Sequence, residues 1–341
     1  MAELDVIVAV PSDAGWEPIR KMAQLLCSYL DSEPIYVDVH KSLQKPAKII
    51  GAFPRLKKGK KKVLVIAYDP GQLYAISQVG IFSRLYSEIY GWVIDSFWAE
   101  RIPRIATTGI YNHIFVTDPG DIDEWQKAGV ASVSALTWGA DIWSNIGQRL
   151  DIHKTNDLLR VGRQPRDWED DAATGDQAKK LGLSFQGRPP FGNSPAESAQ
   201  HLERALKDSK VVLAFTNKIS PTRYTHPTKE YLTGRWIDAL GWGCMVAGQI
   251  PQTKVSEKYL WPEAALEVPY DDVAEGLYKI AEKLKTIDNH YAQQQIINTL
   301  ENFDWRFRFV SLFSNLEIIS NNLERDIYEI FIFLSIFNKS L

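Results

Sequence analysis

Short, wholly apolar runs alternate with amphipathic stretches along most of this chain. Residues 4–10 (LDVIVAV), 62–68 (KVLVIAY) and 211–216 (VVLAFT) are apolar at nearly every position, and 113–117 (HIFVT) is apolar at its centre. A strand reads that way when both its faces are covered, as in a parallel sheet with helices on each side. Between the runs, residues 16–30, 73–90 and 121–128 space their apolar side chains as helices do, and 35–39, 91–95 and 130–136 read as further strands. After a break the alternation resumes. Strands are expected at 158–161, 183–186, 211–216, 244–247 and 265–269. Helices are expected at 172–181, 195–209, 234–242, 271–284 and 290–303, and from about 305 to 322. Strands alternating with helices imply parallel sheets with right-handed crossovers. Two such series predict an α/β protein of two Rossmann-like domains facing a cleft, followed by a helical tail.

The weakly periodic stretch around 138–157 divides the chain. It predicts an N-terminal domain over 1–140, a linker over 141–156, a second domain over 157–320 and an apolar tail over 321–341. A length of 341 residues fits two domains at about 150 each. The composition, 45% hydrophobic and 24% charged, is that of an ordinary globular protein that needs no staples to hold a core. A net charge of -3 argues against a nucleic-acid partner. Only Cys27 and Cys244 occur, far apart, which predicts a reducing, cytoplasmic setting and no disulfide framework. No signal peptide and no run of about 20 apolar residues is visible. The tail segment 327–337 (IYEIFIFLSIF) is expected to dock on the protein, with peripheral membrane contact as the alternative. The basic run 57–62 (KKGKKK) reads as a solvated loop, with an anionic acceptor or lipid headgroups as the functional alternative.

The chemistry concentrates in residues 228–246 (TKEYLTGRWIDALGWGCMV). Glu230 and Asp238 are separated by seven residues, with Arg235 between them, ahead of Gly241 and Gly243. Both acids lie towards one side of a single helix. If instead the helix begins near Thr233, Glu230 sits in the loop before it and Asp238 in its second turn. Either arrangement gathers carboxylates and a guanidinium at a helix N-terminus, where free N–H groups and the backbone dipole attract phosphate. Carboxylates suit sugar hydroxyls and Arg suits pyrophosphate. Ordinary surface charges on a helix are the plain alternative. In doubly wound sheets ligands bind beyond the C-terminal strand ends. That rule picks Ser12, Asp13, Gly15 and Glu17 after the first strand, Tyr68, Asp69 and Pro70 after the third, and Asp118 later. In the second half it picks Gly162, Arg163 and the stretch 216–235, which includes His226. The dinucleotide fingerprint and the Walker loop are absent, and the six histidines show no zinc spacing. Of Trp138, Trp143, Trp236 and Trp242, one or two are expected to touch ligand and the rest to pack.

The order of these features resembles that of GT-B glycosyltransferases, over roughly residues 4 to 320. The second half is similar to the spore-protein-like bacterial glycosyltransferases (group 1 type) that carry an R-x-x-E-A-x-x-x-G segment. Residues 235–243 (RWIDALGWG) occupy that place, with Asp238 where the pattern has Glu. Glu230 and Asp238 match the spacing of the two acids in retaining enzymes of this fold. Val161-Gly162-Arg163 resembles the opening of a nucleotide-sugar domain, and Asp304-Trp305-Arg306-x-Arg308 a terminal helix motif.

The resemblance implies a metal-independent enzyme with no resident cofactor, which moves a sugar from a nucleotide-diphosphate donor to an acceptor hydroxyl. It implies ribose binding by Asp238, pyrophosphate binding by Arg235 and Arg163 beside Gly162, and donor-sugar contacts by Glu230. His226, from its place in the same segment alone, is a candidate ligand contact, with a structural or exposed histidine as the plain alternative. The loop of Asp13 and Gly15 would face the donor phosphate or the acceptor, with Asp13 or Glu17 as base if the reaction inverts. The acid spacing leans towards retention. The change to Asp at 238 and the missing paired glycines in the first loop depart from the pattern. A nucleotide-sugar epimerase, or a degenerate relative that binds nucleotide without turnover, is the rival reading.

Overall fold

The strands that form are the apolar runs, and their neighbours explain why. In the computed structural model, which describes residues 3–37, 60–78, 85–96, 98, 100, 102–222 and 225–337, the chain divides into two compact units. One comprises Met1–Thr137 and Arg308–Asp326, the other Trp138–Phe307 and Ile327–Leu341. Each is built on its own parallel sheet.

In the first unit β1 (Leu4–Ala9), β2 (Ile35–Tyr36), β3 (Lys61–Ala67), β4 (Tyr86–Val93), β5 (His113–Val116) and β6 (Val133–Ala135) lie in the order β2-β1-β3-β4-β5-β6. The interstrand pairs are all parallel. Helices α1 (Glu17–Ser28), α2 (Pro70–Ser77), α3 (Ile102–Thr108) and α4 (Ile122–Lys127) supply the crossovers among the described residues. α1 buries Ile19, Met22, Ala23, Leu26 and Cys27, one stripe at helical spacing. Two devices place the loops at the strand ends. Asp69 caps α2 by accepting from the Gln72 amide at 2.6 Å, and Asp118 caps the turn before α4 by accepting from the Gly120 amide at 2.7 Å.

The second unit holds β7 (Asn156–Arg160), β8 (Phe185–Gln186), β9 (Ser209–Leu213), β10 (Met245–Gly248) and β11 (Ala265–Glu267), in the order β11-β10-β9-β7-β8. Its helices include α5 (Ile146–Leu150), α6 (Asp171–Lys180), α7 (Pro195–Asp208), α8 (Gly234–Gly241), α9 (Lys254–Tyr259), α10 (Val273–Leu284) and α11 (Asn289–Phe303). Side chains alternate across the sheet as strand geometry requires. Val211, Leu213 and Phe215 join Leu158, Met245, Leu277 and Ile280 in one core. Val212 and Ala214 join Leu159, Val246, Trp236 and Leu240 in the other. Burial on both faces is why the run 211–216 has no polar side until Thr216.

Several expectations change. The helix expected over 73–90 stops at Ser77, and residues 86–90 belong to β4, because a strand must run the length of β3 to satisfy its amides. The expected linker, 141–156, carries a 3-10 turn at Trp143–Asn145 and helix α5. Asp304, fully buried, accepts from the amides of Ile142 and Trp143 at 2.9 Å and ties this segment to the start of α12 (Trp305–Leu316). The tail is a helix, α13 (Asn321–Phe337), whose Ile330 and Leu334 enter the core while Tyr328, Phe331 and Ile336 stay exposed. Of the basic run, Lys61 and Lys62 open β3, and Lys61 pairs with Asp5 at 3.0 Å; residues 57–59 lie outside the described residues, as do 38–39 of the second expected strand. No helix among the described residues is long and apolar enough to cross a membrane.

Candidate functional site

Both sheets place their first strand between the second and the third. In the second unit β7 is flanked by β8 and β9. Sheets of this kind bind ligands beyond the C-terminal strand ends at such a reversal, where the loops leave the sheet in opposite directions. Three of the residues singled out in the sequence meet there. Gly162 follows β7 with φ +74°, a conformation that costs an L side chain energy. A Cβ on it would stand 2.7 Å from Nη1 and 3.0 Å from Cζ of Arg235. The bare glycine therefore lets the guanidinium of α8 lie against the β7 turn. Arg235 Nη1 also reaches the Phe215 carbonyl beyond β9, at 3.5 Å. Arg163 donates to Asn217 Oδ1 at 2.8 Å and Thr222 Oγ1 at 3.2 Å, so it too is held by the loop after β9.

The N-terminus of α8 faces the same loops through Arg235. Its N-cap, Thr233, has an extended backbone but makes no side-chain capping bond, and the first turn carries a cation and no acid. Helices favour acids in the first turn by about 0.3–1 kcal/mol, so an Arg there works against the helix and in favour of an anion beside it. The structure decides between the two sequence alternatives: the helix begins at Gly234, which leaves Glu230 in the loop and Asp238 in the second turn. Asp238 is half-buried and leans back towards the helix start, with Oδ2 3.8 Å from where a Gly234 Cβ would be. Trp138 closes the other side of Gly234, its ring edge 3.3 Å from the same point.

Glu230 and His226 shape the loop that enters α8. Glu230 Oε1 accepts from the Gln252 amide at 2.9 Å, which ties it to the turn after β10. His226 Nδ1 accepts from the amides of Lys229 at 3.0 Å and Thr228 at 3.2 Å, which places its proton on Nε2. The other tryptophans pack. Trp236 and Trp242 are buried, and Trp143 lies edge-on to Phe333 at 5.6 Å.

In the first unit the strand order reverses between β1 and β3, and the loop after β1 holds Asp13 and Gly15, both exposed. Asp13 Oδ1 accepts from the Gly15 amide at 2.9 Å and shapes the turn into α1, while Trp16 stacks edge-on against Tyr68 beyond β3 at 5.9 Å. Glu17 pairs with Arg20 one turn along α1 at 3.8 Å. The strand-end rule also reaches Asp95, just after β4, which the sequence did not single out. Desolvation, reinforced by the Asp69 carboxylate, lifts its carboxyl to about 7.

No protein-family model matches the chain. No curated protein matches it in sequence. Solved structures do match in fold. HepE of Anabaena, crystallised in complex with UDP, aligns over 92% of this chain and 99% of its own, with a TM-score of 0.55 at 11% identity. A UDP-forming α,α-trehalose-phosphate synthase from Burkholderia xenovorans aligns over 93% and 99%, with a TM-score of 0.55 at 9% identity. The lipopolysaccharide outer core galactosyltransferase WaaB, in its apo form, aligns over 92% and 99%, with a TM-score of 0.50 at 11% identity. The chain has the fold of GT-B glycosyltransferases, two units each on a parallel sheet with helices on its faces.

Proposed function

We propose that the protein is a glycosyltransferase that takes its sugar from a nucleoside-diphosphate donor held at the C-terminal edge of the second sheet. The observation that carries this reading is the start of α8: a helix N-terminus without a side-chain cap, bearing Arg235, which rests against Gly162 at the reversal point of the sheet. Backbone amides and a guanidinium converging there suit a pyrophosphate. Arg163, braced by Asn217 and Thr222, adds a second cation from β7. Asp238, one turn deeper, accepts hydrogen bonds from the ribose hydroxyls, and Glu230 from hydroxyls of the donor sugar. Of the proteins that share the fold, HepE binds UDP and the trehalose-phosphate synthase forms it, which supports a nucleoside diphosphate as the leaving group.

In the reaction the bond between the anomeric carbon and the β-phosphate oxygen breaks, and a bond from that carbon to the acceptor oxygen forms. Negative charge builds on the departing diphosphate. Arg235, Arg163 and the helix dipole are fixed where that charge grows and lower the barrier without rearranging. The spacing of Glu230 and Asp238 favours retention, in which the acceptor proton passes to the departing phosphate oxygen. Asp13 already spends one carboxylate oxygen on the Gly15 amide, which also favours the route without a separate base. Its loop is then an acceptor-side contact.

The test is a thermal-shift panel of UDP, GDP, TDP and CDP on the wild-type protein and on Arg235→Ala. One nucleoside diphosphate should stabilise the wild type by about 2.7 kcal/mol at a hundred times its dissociation constant. Arg235→Ala should weaken that ligand by at least about tenfold. A wild-type protein that answers to none of the four would overturn the reading.

A further inference from the structure

The helix that carries Arg235 and Asp238 is gripped from its other end by Arg149, a residue in the stretch that the sequence pattern marks as linker. Arg149 sits in the last turn of α5 and is 8% exposed. Its Nη1 donates to the carbonyl of Gly241, the last residue of α8, at 2.6 Å, and its Nη2 to the Asp141 carbonyl at 3.2 Å. The guanidinium carbon lies over Trp242, 4.1 Å from the ring centroid, and the Trp242 amide in turn donates to the Asp238 carbonyl at 3.1 Å. A chain of contacts thus runs from Arg149 through Trp242 to the backbone of Asp238. A cation at a helix C-terminus also satisfies an orphan carbonyl and complements the dipole.

Electrostatics follows the same line. Burial disfavours the Arg149 charge, and Asp238 is the foremost carboxylate opposing that effect, ahead of Glu203, Asp141 and Asp304. The field is reciprocal: what Asp238 does for the Arg149 cation, Arg149 does for the Asp238 carboxylate. Burying a charged Arg is costly, and an apolar residue of similar volume would fill the site more cheaply.

We propose that Arg149 is a positioning residue for Asp238, fixing the second turn of α8 and holding its carboxylate ready for the ribose hydroxyls of the donor. This rests on the glycosyltransferase reading and adds a residue that never meets the ligand. Its consequence is specific: loss of Arg149 should erase the preference for ribose, not the affinity for phosphate.

The experiment measures the dissociation constants of UDP and GDP, each beside its 2′,3′-dideoxy counterpart, for the wild type, Asp238→Asn, Arg149→Met, Arg149→Lys and the double variant Asp238→Asn/Arg149→Met. The wild type should favour the ribonucleotide by about tenfold or more, as hydrogen bonds to a carboxylate imply. Asp238→Asn should remove most of that ratio. Arg149→Met should remove as much, with nothing further lost in the double variant, and Arg149→Lys should recover part of it. Should Arg149→Met fail to fold, the intermediate ratio expected of Arg149→Lys carries the test. A ratio that falls in Asp238→Asn but stays at the wild-type value in the Arg149 variants overturns this inference and leaves the glycosyltransferase reading standing. A wild type that binds nucleotide without any preference for ribose overturns the inference together with the role given to Asp238.

Discussion

Gly162→Ala separates the fold from the proposed anion site, because one methyl group acts on both. The backbone there has φ +74°, and holding an L residue in that left-handed region costs about 1–2 kcal/mol. In a unit of this size that amounts to a fall in Tm of roughly 2–8 °C. The methyl would also stand 2.7 Å from Arg235 Nη1 and 3.0 Å from its Cζ, closer than carbon tolerates. A side chain end can swing aside where backbone cannot, so the variant should fold with the guanidinium displaced. If that guanidinium binds pyrophosphate, the loss is that of a charge-assisted hydrogen bond, about 1.5–3 kcal/mol, or roughly tenfold to a hundredfold in Kd. Isothermal titration of the stabilising nucleoside diphosphate into wild type, Gly162→Ala, Arg235→Ala and the double variant reads this directly. The two single losses should not add, since both act through one side chain. Unchanged nucleotide affinity in Gly162→Ala, alongside the expected drop in Tm, would refute the placement of the anion at the β7 turn.

Other expectations follow from the same geometry. Glu230→Gln should lower kcat by about tenfold or more while the Kd for the free nucleoside diphosphate moves less than about threefold, because Glu230 is assigned to the sugar; an equal loss in both would place it on the nucleotide. Gly248→Ala should abolish a folded second unit, since the added Cβ would lie 2.0 Å from the Ala214 carbonyl oxygen, backbone just past β9 that is tied to Ala247; a wild-type urea midpoint would contradict this. Asp95→Asn should raise stability above neutral pH. The carboxyl, lifted from 3.8 to about 7 in the folded state, binds its proton more tightly there than in the unfolded chain. Wild-type stability therefore falls as pH rises from about 4 to 7. The Asn variant should lack that fall, by at most about 4 kcal/mol and less for a carboxyl still in contact with water. Urea midpoints at pH 4, 5.5 and 8 test it, and parallel curves for the two proteins would show no lifted carboxyl.

Where apolar residues crowd both faces of a strand, the sequence by itself determines the outcome. Runs such as 62–68 and 211–216 have no polar side to offer water, so they can only be internal strands of covered sheets. Helices with one apolar stripe and a good cap, such as α7 after Ser194 and α10 after Asp272, are legible for the same local reasons. The placing of Arg235 at a helix start within 228–246 was legible too, because it depends on local spacing.

Tertiary structure decided the rest. Residues 86–90 have a spacing that suits a helix, yet they extend β4, because the amides of β3 need partners along their whole length. α3 and α9 carry too little periodicity to announce themselves, and packing holds them. Local sequence left open whether Glu230 and Asp238 share a helix; the start of α8 at Gly234 separates them. Nor does it bring Gly162 and Arg235 together across seventy residues, or Arg149 to the end of α8. Those contacts depend on strand order. A parallel sheet sets residues distant in sequence side by side at one edge, and the charge, conformation and spacing that make a site arise only once that edge exists.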